Sequence, residues 1–366
     1  MQIPHFLKIL TIATLITSVS GCANLAYYAQ AVGGHMDILR RSQPINTLIA
    51  DPSVDPDLKR TLNKIITIRS FASNELKLPN NRSYTKYADL ERPYAVWNVV
   101  AAPEFSFKLK KWCFIQAGCV SYRGFFSLTK AENYANKLRA EGYDVHVSGI
   151  PAYSTLGWFV DPVLNTFIES ELELARLIFH ELAHQVVYVP GDTVFNESFA
   201  TLVEQEGVKR WLAHNGTTNE YAEYRARRKR QTIFNTLVRN HRMRLETLFD
   251  ADISEIEKRT GKARIFDDLR EEFALLKTSR AEFRRYDRWF SQPINNARLA
   301  NVSVYTQLIP AFEALLFQQN GDMASFFSVV KEIGKLSKEE RSAFLKITMH
   351  ERRQTNFAGV FESYSQ

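Results

Sequence analysis

The spacing of apolar and polar residues divides the chain into a helical start, a stretch of short strands and a long helical remainder. Up to about residue 73, apolar residues recur every three to four positions, as in amphipathic helices. Between Tyr87 and Phe167 the alternation is that of short strands, with one helix from Leu128 to Glu141. From Ser170 onward the helical spacing returns. A sheet followed by helices predicts an α+β fold.

Turn and capping residues place the individual elements. Short strands are predicted at residues 94–101, 105–109, 120–126, 145–147 and 152–159. The N-terminal helices are predicted at 26–41 and from 56 to about 73, with Asp55 as the cap of the second. Later helices are predicted at 172–188, 197–213, 220–248, 253–259, 266–287, 304–319, 322–333 and from 337, where Ser337 and Glu340 form a capping box.

The first 22 residues have the layout of a bacterial lipoprotein signal. Residues 1–8 are short and basic, residues 9–19 form an apolar run too short to span a bilayer, and the four residues ending at Cys22 resemble a lipobox. We therefore expect cleavage before Cys22 and acylation of its new N-terminus, which would anchor the protein in the bacterial cell envelope. Ala23 favours the outer membrane, facing the periplasm. The alternative is a plain secretory signal cut near Gly21.

Charge and cysteine content are consistent with such a compartment. The formal net charge is +7 for the whole chain and +6 without residues 1–21, and in an extracytoplasmic setting it points to anionic lipid, to cell-wall polymer or to solubility alone rather than to nucleic acid. The densest basic run, Arg225–Arg230, is predicted to form a solvated helix face, with a membrane-facing patch as the alternative. Beyond Cys22, two cysteines remain, Cys113 and Cys119. An oxidising envelope favours a disulfide between them over a zinc site, because no second Cys or His pair lies nearby.

Three residues of the helix predicted at 172–188 indicate a metal site. Residues four apart lie one turn apart on the same side of an α-helix, so His180 and His184 can direct their imidazoles at one point. Glu181 lies beside them as a candidate general base. The helix is apolar on nearly every face, so a divalent cation would satisfy these buried polar groups together. The alternative is two core histidines bonded to carbonyls or carboxylates.

A third metal ligand is predicted from the loop that follows this helix. A catalytic zinc ion usually has three protein ligands and one open position. Pro190 and Gly191 are expected to end the helix, and Asp192 or Thr193 to cap the next one. Glu197 then lies in the first turn of the second helix, and the short loop returns it to the histidines. The sequence therefore nominates Glu197 as the third ligand.

The two motifs together resemble the signature of a known class of enzymes. His180-Glu181-Leu182-Ala183-His184-Gln185 followed by Asn196-Glu197-Ser198-Phe199-Ala200 is similar to the two-part signature of the gluzincin metallopeptidases, especially the aminopeptidases. With the lipobox, the two-cysteine loop and Ser154–Phe159, the chain more closely resembles a family of bacterial lipoproteins described as aminopeptidases. One departure is the spacing, because only twelve residues separate His184 from Glu197, fewer than the roughly twenty usual in gluzincins.

This resemblance implies a zinc peptidase that acts on a peptide substrate. His180, His184 and Glu197 would bind Zn²⁺, and Glu181 would be the general base. The strand predicted before the motif helix would bind the substrate backbone by strand addition, through Tyr153, Ser154, Thr155, Leu156 and Gly157. The alternative for that strand is an ordinary core strand.

Two further roles are expected from the same resemblance. The oxyanion of the transition state commonly receives a hydrogen bond from a downstream Tyr or His, and Tyr305 is our candidate, a structural tyrosine being the alternative. Thr201 stands where thermolysin-like enzymes have an Asp that orients the first histidine. Glu204 or Asp161 is therefore expected to supply that acceptor.

The expected organisation has three parts: a lipoprotein signal peptide at 1–21, a helical segment at 22–85 and a zincin-like metallopeptidase region at 86–366. The last contains a small sheet at 86–168, the active-site helices at 169–214 and a helical C-terminal part at 215–366. The leading function is an envelope zinc aminopeptidase, attached to the membrane through its N-terminal lipid and without a nucleic-acid partner. The alternatives are a non-catalytic envelope lipoprotein with a structural zinc site and a zinc amidase acting on cell-wall material.

Overall fold

The computed structural model describes residues 25–114, 118–168, 170–216, 218–304 and 308–349. Of these residues 65% are helical, and the strands form small sheets of two or three, which confirms the α+β prediction. Cys22 and Tyr305 lie outside the described residues. None of the described helices has both the length and the apolar character needed to cross a membrane.

The N-terminal part is a set of helices, as predicted. It consists of α1 (25–41), the short strand β1 (Gln43–Pro44), α2 (Ile45–Ala50) and α3 (Pro56–Asn74). The predicted cap is confirmed, because the Asp55 side chain accepts hydrogen bonds from the first backbone N–H groups of α3. The buried face of α3, which includes Leu62, Ile65 and Ile68, belongs to the main hydrophobic core.

The strands form three sheets within the described residues. The strands are β2 (Lys86–Ala88), β3 (Val96–Pro103), β4 (Trp112–Phe114), β5 (Gly118–Val120), β6 (Arg123–Phe125), β7 (Tyr143–Ile150) and β8 (Val163–Leu164). The order of the main antiparallel sheet is β6-β3-β7, and α4 (Leu128–Ala140) packs against it through its buried alanines. The second sheet has the order β1-β2-β8. The hairpin of β4 and β5 carries the predicted disulfide between Cys113 and Cys119.

Helices joined by short loops make up the described residues of the C-terminal half. Its helices are α5 (Glu171–His184), α6 (Thr193–Asn215), α7 (Thr218–Asp250), α8 (Glu255–Ser279), α9 (Asp287–Phe290), α10 (Asn296–Val304), α11 (Ile309–Gln318), α12 (Met323–Lys335) and α13 (338–349). The capping box of Ser337 and Glu340 is confirmed. The main core joins α3, α5, α6, α11 and α12, and a second core lies around α7 and α8.

Several predicted elements are wrong in type or length. Residues 105–109 are not a strand, because Phe105 and Phe107 turn to pack against Phe249 of α7. The separate helices predicted at 253–259 and 266–287 are one helix, α8, which continues through Gly261 and ends at Ser279. A side chain at Gly261 would meet Leu248, so this glycine allows a close approach of α7 and α8 rather than a break.

The helix predicted at 304–319 is confirmed for most of its described residues, which form α11, while residues 305–307 lie outside the described part of the chain. The described residues place the end of α10 at Val304 and the start of α11 at Ile309. Pro310 lies in the first turn of α11, where a missing backbone N–H costs least. The helix predicted at 172–188 ends at His184, which leaves Val186–Tyr188 in the following loop.

Candidate metal centre

Helix α5 positions the two histidines at its C-terminal end. The helix begins after Ser170, whose hydroxyl accepts a hydrogen bond from the Glu173 backbone N–H at 3.2 Å. The apolar residues of α5 fix it in the main core, so its last turn is held in place. The imidazole rings of His180 and His184 lie 4.9 Å apart between centroids and are nearly perpendicular, at 85°. The pair therefore meets on one side of the helix, as the spacing predicts.

Two side chains at the N-terminal end of α6 hold the loop that joins α5 to α6. The Asp192 carboxylate caps α6 by accepting a hydrogen bond from the Phe195 N–H at 3.2 Å. It also accepts a hydrogen bond from the guanidinium group of Arg341 in α13 at 2.7 Å. Asn196 is 2% exposed and pairs with both backbone groups of Val189, each at 2.8 Å. These contacts place Glu197 beside the histidines as the fifth residue of α6, one residue past the first turn in which it was predicted.

The β4–β5 hairpin supports the same loop from outside. Gly118 has a φ of +67° and lies against Pro190 and Gly191, so that an added Cβ would be 3.1 Å from the Gly191 nitrogen. A side chain at this position would both strain the backbone and push on the loop. The hairpin closed by the disulfide therefore packs directly on the segment between the two motifs.

Loss of the Asn196 amide should destabilise the fold. Asn196→Ala would leave the Val189 N–H without its partner and the Val189 C=O with the Asp192 N–H alone, at a cost of about 1–3 kcal/mol in the free energy of unfolding. Urea unfolding followed by circular dichroism measures this difference. Asn63→Ala, at an exposed position of α3 whose amide bonds only Lys59 O, is the matched control and should change stability by less than about 0.5 kcal/mol. Equal effects of the two variants would contradict this role of Asn196.

Three donor groups converge between α5 and α6. Glu197 Oε2 lies 3.4 Å from His180 Nε2, and Glu197 Oε1 lies 3.8 Å from His184 Nε2. The potential ligand atoms of the three residues all lie within 4.8 Å of one another. Ligands bound at about 2.0–2.2 Å around a tetrahedral zinc ion are separated by about 3.3–3.6 Å. Two imidazoles and one carboxylate at these separations fit a zinc-sized divalent cation.

Electrostatics at the histidines agree with a cation site. Burial opposes protonation of His180, but hydrogen bonds to Glu197 and Glu204 raise its pKa to about 10. These two carboxylates would equally favour a bound metal ion. Burial lowers the pKa of His184 to about 4, which keeps that imidazole in the neutral form that binds metals. Among the described residues, the buried Nδ1 of His184 has no hydrogen-bond partner.

Glu204 orients the first histidine, one of the two possibilities raised from the sequence. Its Oε2 lies 3.1 Å from His180 Nδ1 and also accepts from Arg176 at 3.0 Å. Arg176 in turn donates to Glu173 at 2.8 Å, and Glu173 pairs with Arg227 of α7. None of Arg176, Glu173 and Arg227 was predicted: the i, i+3 spacing of Glu173 and Arg176 on α5 could have indicated that pair, but nothing local indicates Arg227.

Asp161 does not contact a ligand and was the wrong alternative. Its carboxylate accepts from the Thr155 N–H at 3.0 Å and from the Thr155 hydroxyl at 2.8 Å. Leu156 and Gly157 have φ values of +57° and +83°. This turn around a buried carboxylate explains why the strand predicted at 152–159 is absent.

The residues of that turn nevertheless border the site. A cleft of about 1580 Å³ is lined by Tyr153, Ser154, Thr155 and Leu156 together with all three candidate ligands and Glu181. A Cβ added at Gly157 would lie 3.5 Å from the Gln185 side chain, just beyond the end of α5. Because the segment is not a strand, a substrate cannot add to it as a neighbouring strand, as was predicted. Its residues can still contact a ligand in the cleft.

Glu181 is buried next to the candidate ligands. It is 8% exposed, and burial raises its pKa to about 7, with His180 opposing the shift and Glu197 adding to it. A carboxyl group with a pKa near neutrality can both accept and return a proton. Tyr188, which was not predicted as a site residue, also lines the cleft, with its ring centroid 6.4 Å from that of His184.

Two histidines and a glutamate with a neighbouring buried glutamate define a candidate metallohydrolase centre. Comparison with protein families identifies the chain more closely: it belongs to the family described as "Putative aminopeptidase", which it matches over residues 26–345. That family indicates a peptidase, and hence a peptide substrate. Neither a curated protein nor a solved structure matches the chain.

Proposed function

We propose that the protein is a zinc-dependent peptidase of the gluzincin type, an aminopeptidase that hydrolyses peptide bonds with water. The observation that carries this proposal is the convergence of His180, His184 and Glu197 beside Glu181 in one cleft. Family membership supports the peptidase class. The donor set and the H-E-x-x-H motif support zinc.

The proposed chemistry divides between the ion and the chain. His180, His184 and Glu197 would hold zinc, which when bound polarises the scissile carbonyl and lowers the pKa of water. Glu181 takes the proton of the attacking water and later delivers it to the leaving amine. Its burial keeps the carboxyl group out of bulk solvent, so that the proton stays within the site. Glu204 holds the His180 ring so that Nε2 faces Glu197.

A metal analysis combined with a peptide library tests this function. The purified chain from residue 22 should contain about one zinc ion per molecule and should cleave fluorogenic peptides. Peptides with free and with blocked N-termini separate aminopeptidase from endopeptidase action. Bound zinc without cleavage of any peptide would favour a structural zinc site, and cleavage of cell-wall fragments alone would favour an amidase.

We also propose that the protein is anchored in the bacterial envelope through lipidated Cys22. The lipobox-like sequence supports this location, as does the disulfide, which is typical of oxidising compartments. Incorporation of labelled palmitate in cells, and its loss in Cys22→Ala, measures the anchor. Labelling that persists in Cys22→Ala would contradict it.

Removal of the Glu204 carboxylate should weaken metal binding. Glu204→Gln keeps the size of the side chain but removes the charged acceptor of His180 Nδ1, so we expect zinc affinity to fall about 10–100-fold. Competition with a zinc chelator measures the change in Kd. Glu206→Gln, two residues further along the same helix and paired with Lys209 and Arg210, is the control and should leave the Kd unchanged. An unchanged Kd in Glu204→Gln would exclude the orienting role.

A further inference from the structure

The outer side of α1 is apolar over three turns. The exposed residues of its first twelve positions follow the spacing of one helix face and are Leu25, Ala26, Tyr28, Ala29, Val32, Gly33 and Met36. Leu25 is 70% exposed, and Val32 is 63% exposed. Residues 25–36 contain no Lys, Arg, Asp or Glu. A helix on the surface of a soluble protein usually turns polar residues to water, so this side is expected to be covered.

Two aromatic residues extend the same surface. Trp158 is 71% exposed and Phe159 is 51% exposed, and the Phe159 ring lies 4.6 Å from His35 of α1. We call this surface the α1 face; it consists of Leu25, Tyr28, Val32, Met36, Trp158 and Phe159. All of these except Leu25 also line the cleft that contains the candidate metal centre.

The inner side of α1 fixes the orientation of the helix. The Gln30 amide bonds the Gly124 carbonyl at 3.3 Å and accepts from the Phe126 N–H at 3.2 Å. The Arg123 guanidinium lies 4.0 Å from the centre of the Tyr27 ring. Because these contacts hold α1 on the main sheet, its apolar side is held outward and cannot turn into the core.

We propose that the α1 face lies on a lipid bilayer. Cys22 precedes Leu25 by three residues, which span at most about 10 Å when extended, so an acylated Cys22 would hold this face at the membrane. Trp and Tyr side chains are favoured at the membrane–water boundary. The lack of charged residues at 25–36 means that contact with lipid dehydrates no ionised group. The cleft then opens beside the bilayer and receives peptides at that surface.

Tryptophan fluorescence with vesicles tests this assignment without activity. The chain from residue 22 is produced without its signal, so that Cys22 carries no lipid and only the protein surface can bind. Three of the five tryptophans, Trp97, Trp112 and Trp211, are buried, and Trp158 is the most exposed. Neutral vesicles of phosphatidylcholine should shift the Trp158 emission to the blue. Anionic vesicles of phosphatidylethanolamine with phosphatidylglycerol should do the same. Brominated lipid should quench it, and Trp158→Phe should remove this signal.

Charge substitutions on the α1 face supply the second measurement. The double variant Val32→Glu and Met36→Glu should weaken vesicle binding at least about tenfold. Leu275→Glu, at a 72% exposed position of α8, is the matched control and should bind as the unchanged protein does. Equal thermal unfolding by circular dichroism shows that the variants are folded.

Other occupants of the α1 face would give different results, each of which overturns the proposal. Binding to anionic vesicles only, abolished by salt, would assign the contact to the basic run Arg225–Arg230. A dimer in sedimentation that the double variant dissociates, without vesicle binding, would make the occupant a second copy. A changed KM for peptides without vesicle binding would make the face a substrate wall.

Discussion

Glu181→Gln is expected to lower kcat for peptide hydrolysis by about 10²–10⁴-fold while the protein retains its metal. Glutamine has the same size as glutamate but cannot take a proton from water. Glu181 is buried beside the candidate ligands and is not one of them, so its replacement leaves all three donor groups in place. Kinetics with a fluorogenic peptide and zinc determination on the same preparation measure the two effects separately.

A matched glutamate elsewhere shows whether a loss of activity is specific to Glu181. Glu206→Gln on α6, where the carboxylate pairs with Lys209 and Arg210, should retain full activity. Full activity of Glu181→Gln would exclude Glu181 as the base. Loss of zinc together with activity in Glu181→Gln would instead show that this carboxylate helps to hold the ion.

His184→Ala is expected to weaken zinc binding by about 10²–10³-fold, because one of the three protein donors of the candidate site is lost. His184 suits this test better than His180. His180 also bonds Glu204, whereas the His184 side chain has no hydrogen bond to another described residue and faces Glu197 at 3.8 Å. Isothermal titration or chelator competition gives the Kd, and peptide hydrolysis should fall with it.

The same variant separates a catalytic from a structural metal. A catalytic site predicts that His184→Ala unfolds cooperatively with a Tm close to that of the metal-free protein, because the core of α5 and α6 is apolar and complete without the ion. A structural site predicts collapse of the fold. His214→Ala, at the exposed end of α6, should alter neither Kd nor Tm. Unchanged zinc affinity in His184→Ala would remove it from the ligand set.

The local parts of the site could be predicted from the sequence. The positions of His180 and His184 depend on helix spacing alone, and the Asp192 cap with a short loop was enough to bring Glu197 beside them. Glu204 could be predicted only as one of two acidic residues. The choice between it and Asp161 depends on which element each carboxylate faces, and that is set by tertiary packing.

The two strands that were wrongly predicted, at 152–159 and 105–109, fail for one physical reason. The segment at 152–159 has the composition of a strand, but the buried carboxylate of Asp161 binds Thr155, and Leu156 adopts a left-handed conformation that no propensity favours. Phe105 and Phe107 alternate as in a strand, yet they pack against Phe249, more than a hundred residues later. Long-range contacts override local preference in both cases.

The hairpin closed by the disulfide couples the candidate metal centre to the oxidation state of two cysteines. Gly118 lies against Pro190 and Gly191, in the loop that leads from the histidines to Glu197. Reduction of Cys113 and Cys119 would release the hairpin on which that loop rests, although no ligand is a cysteine. Under reducing conditions the loop would then hold the third candidate ligand less firmly, so the redox state of two cysteines that bind no metal would tune the affinity of the centre.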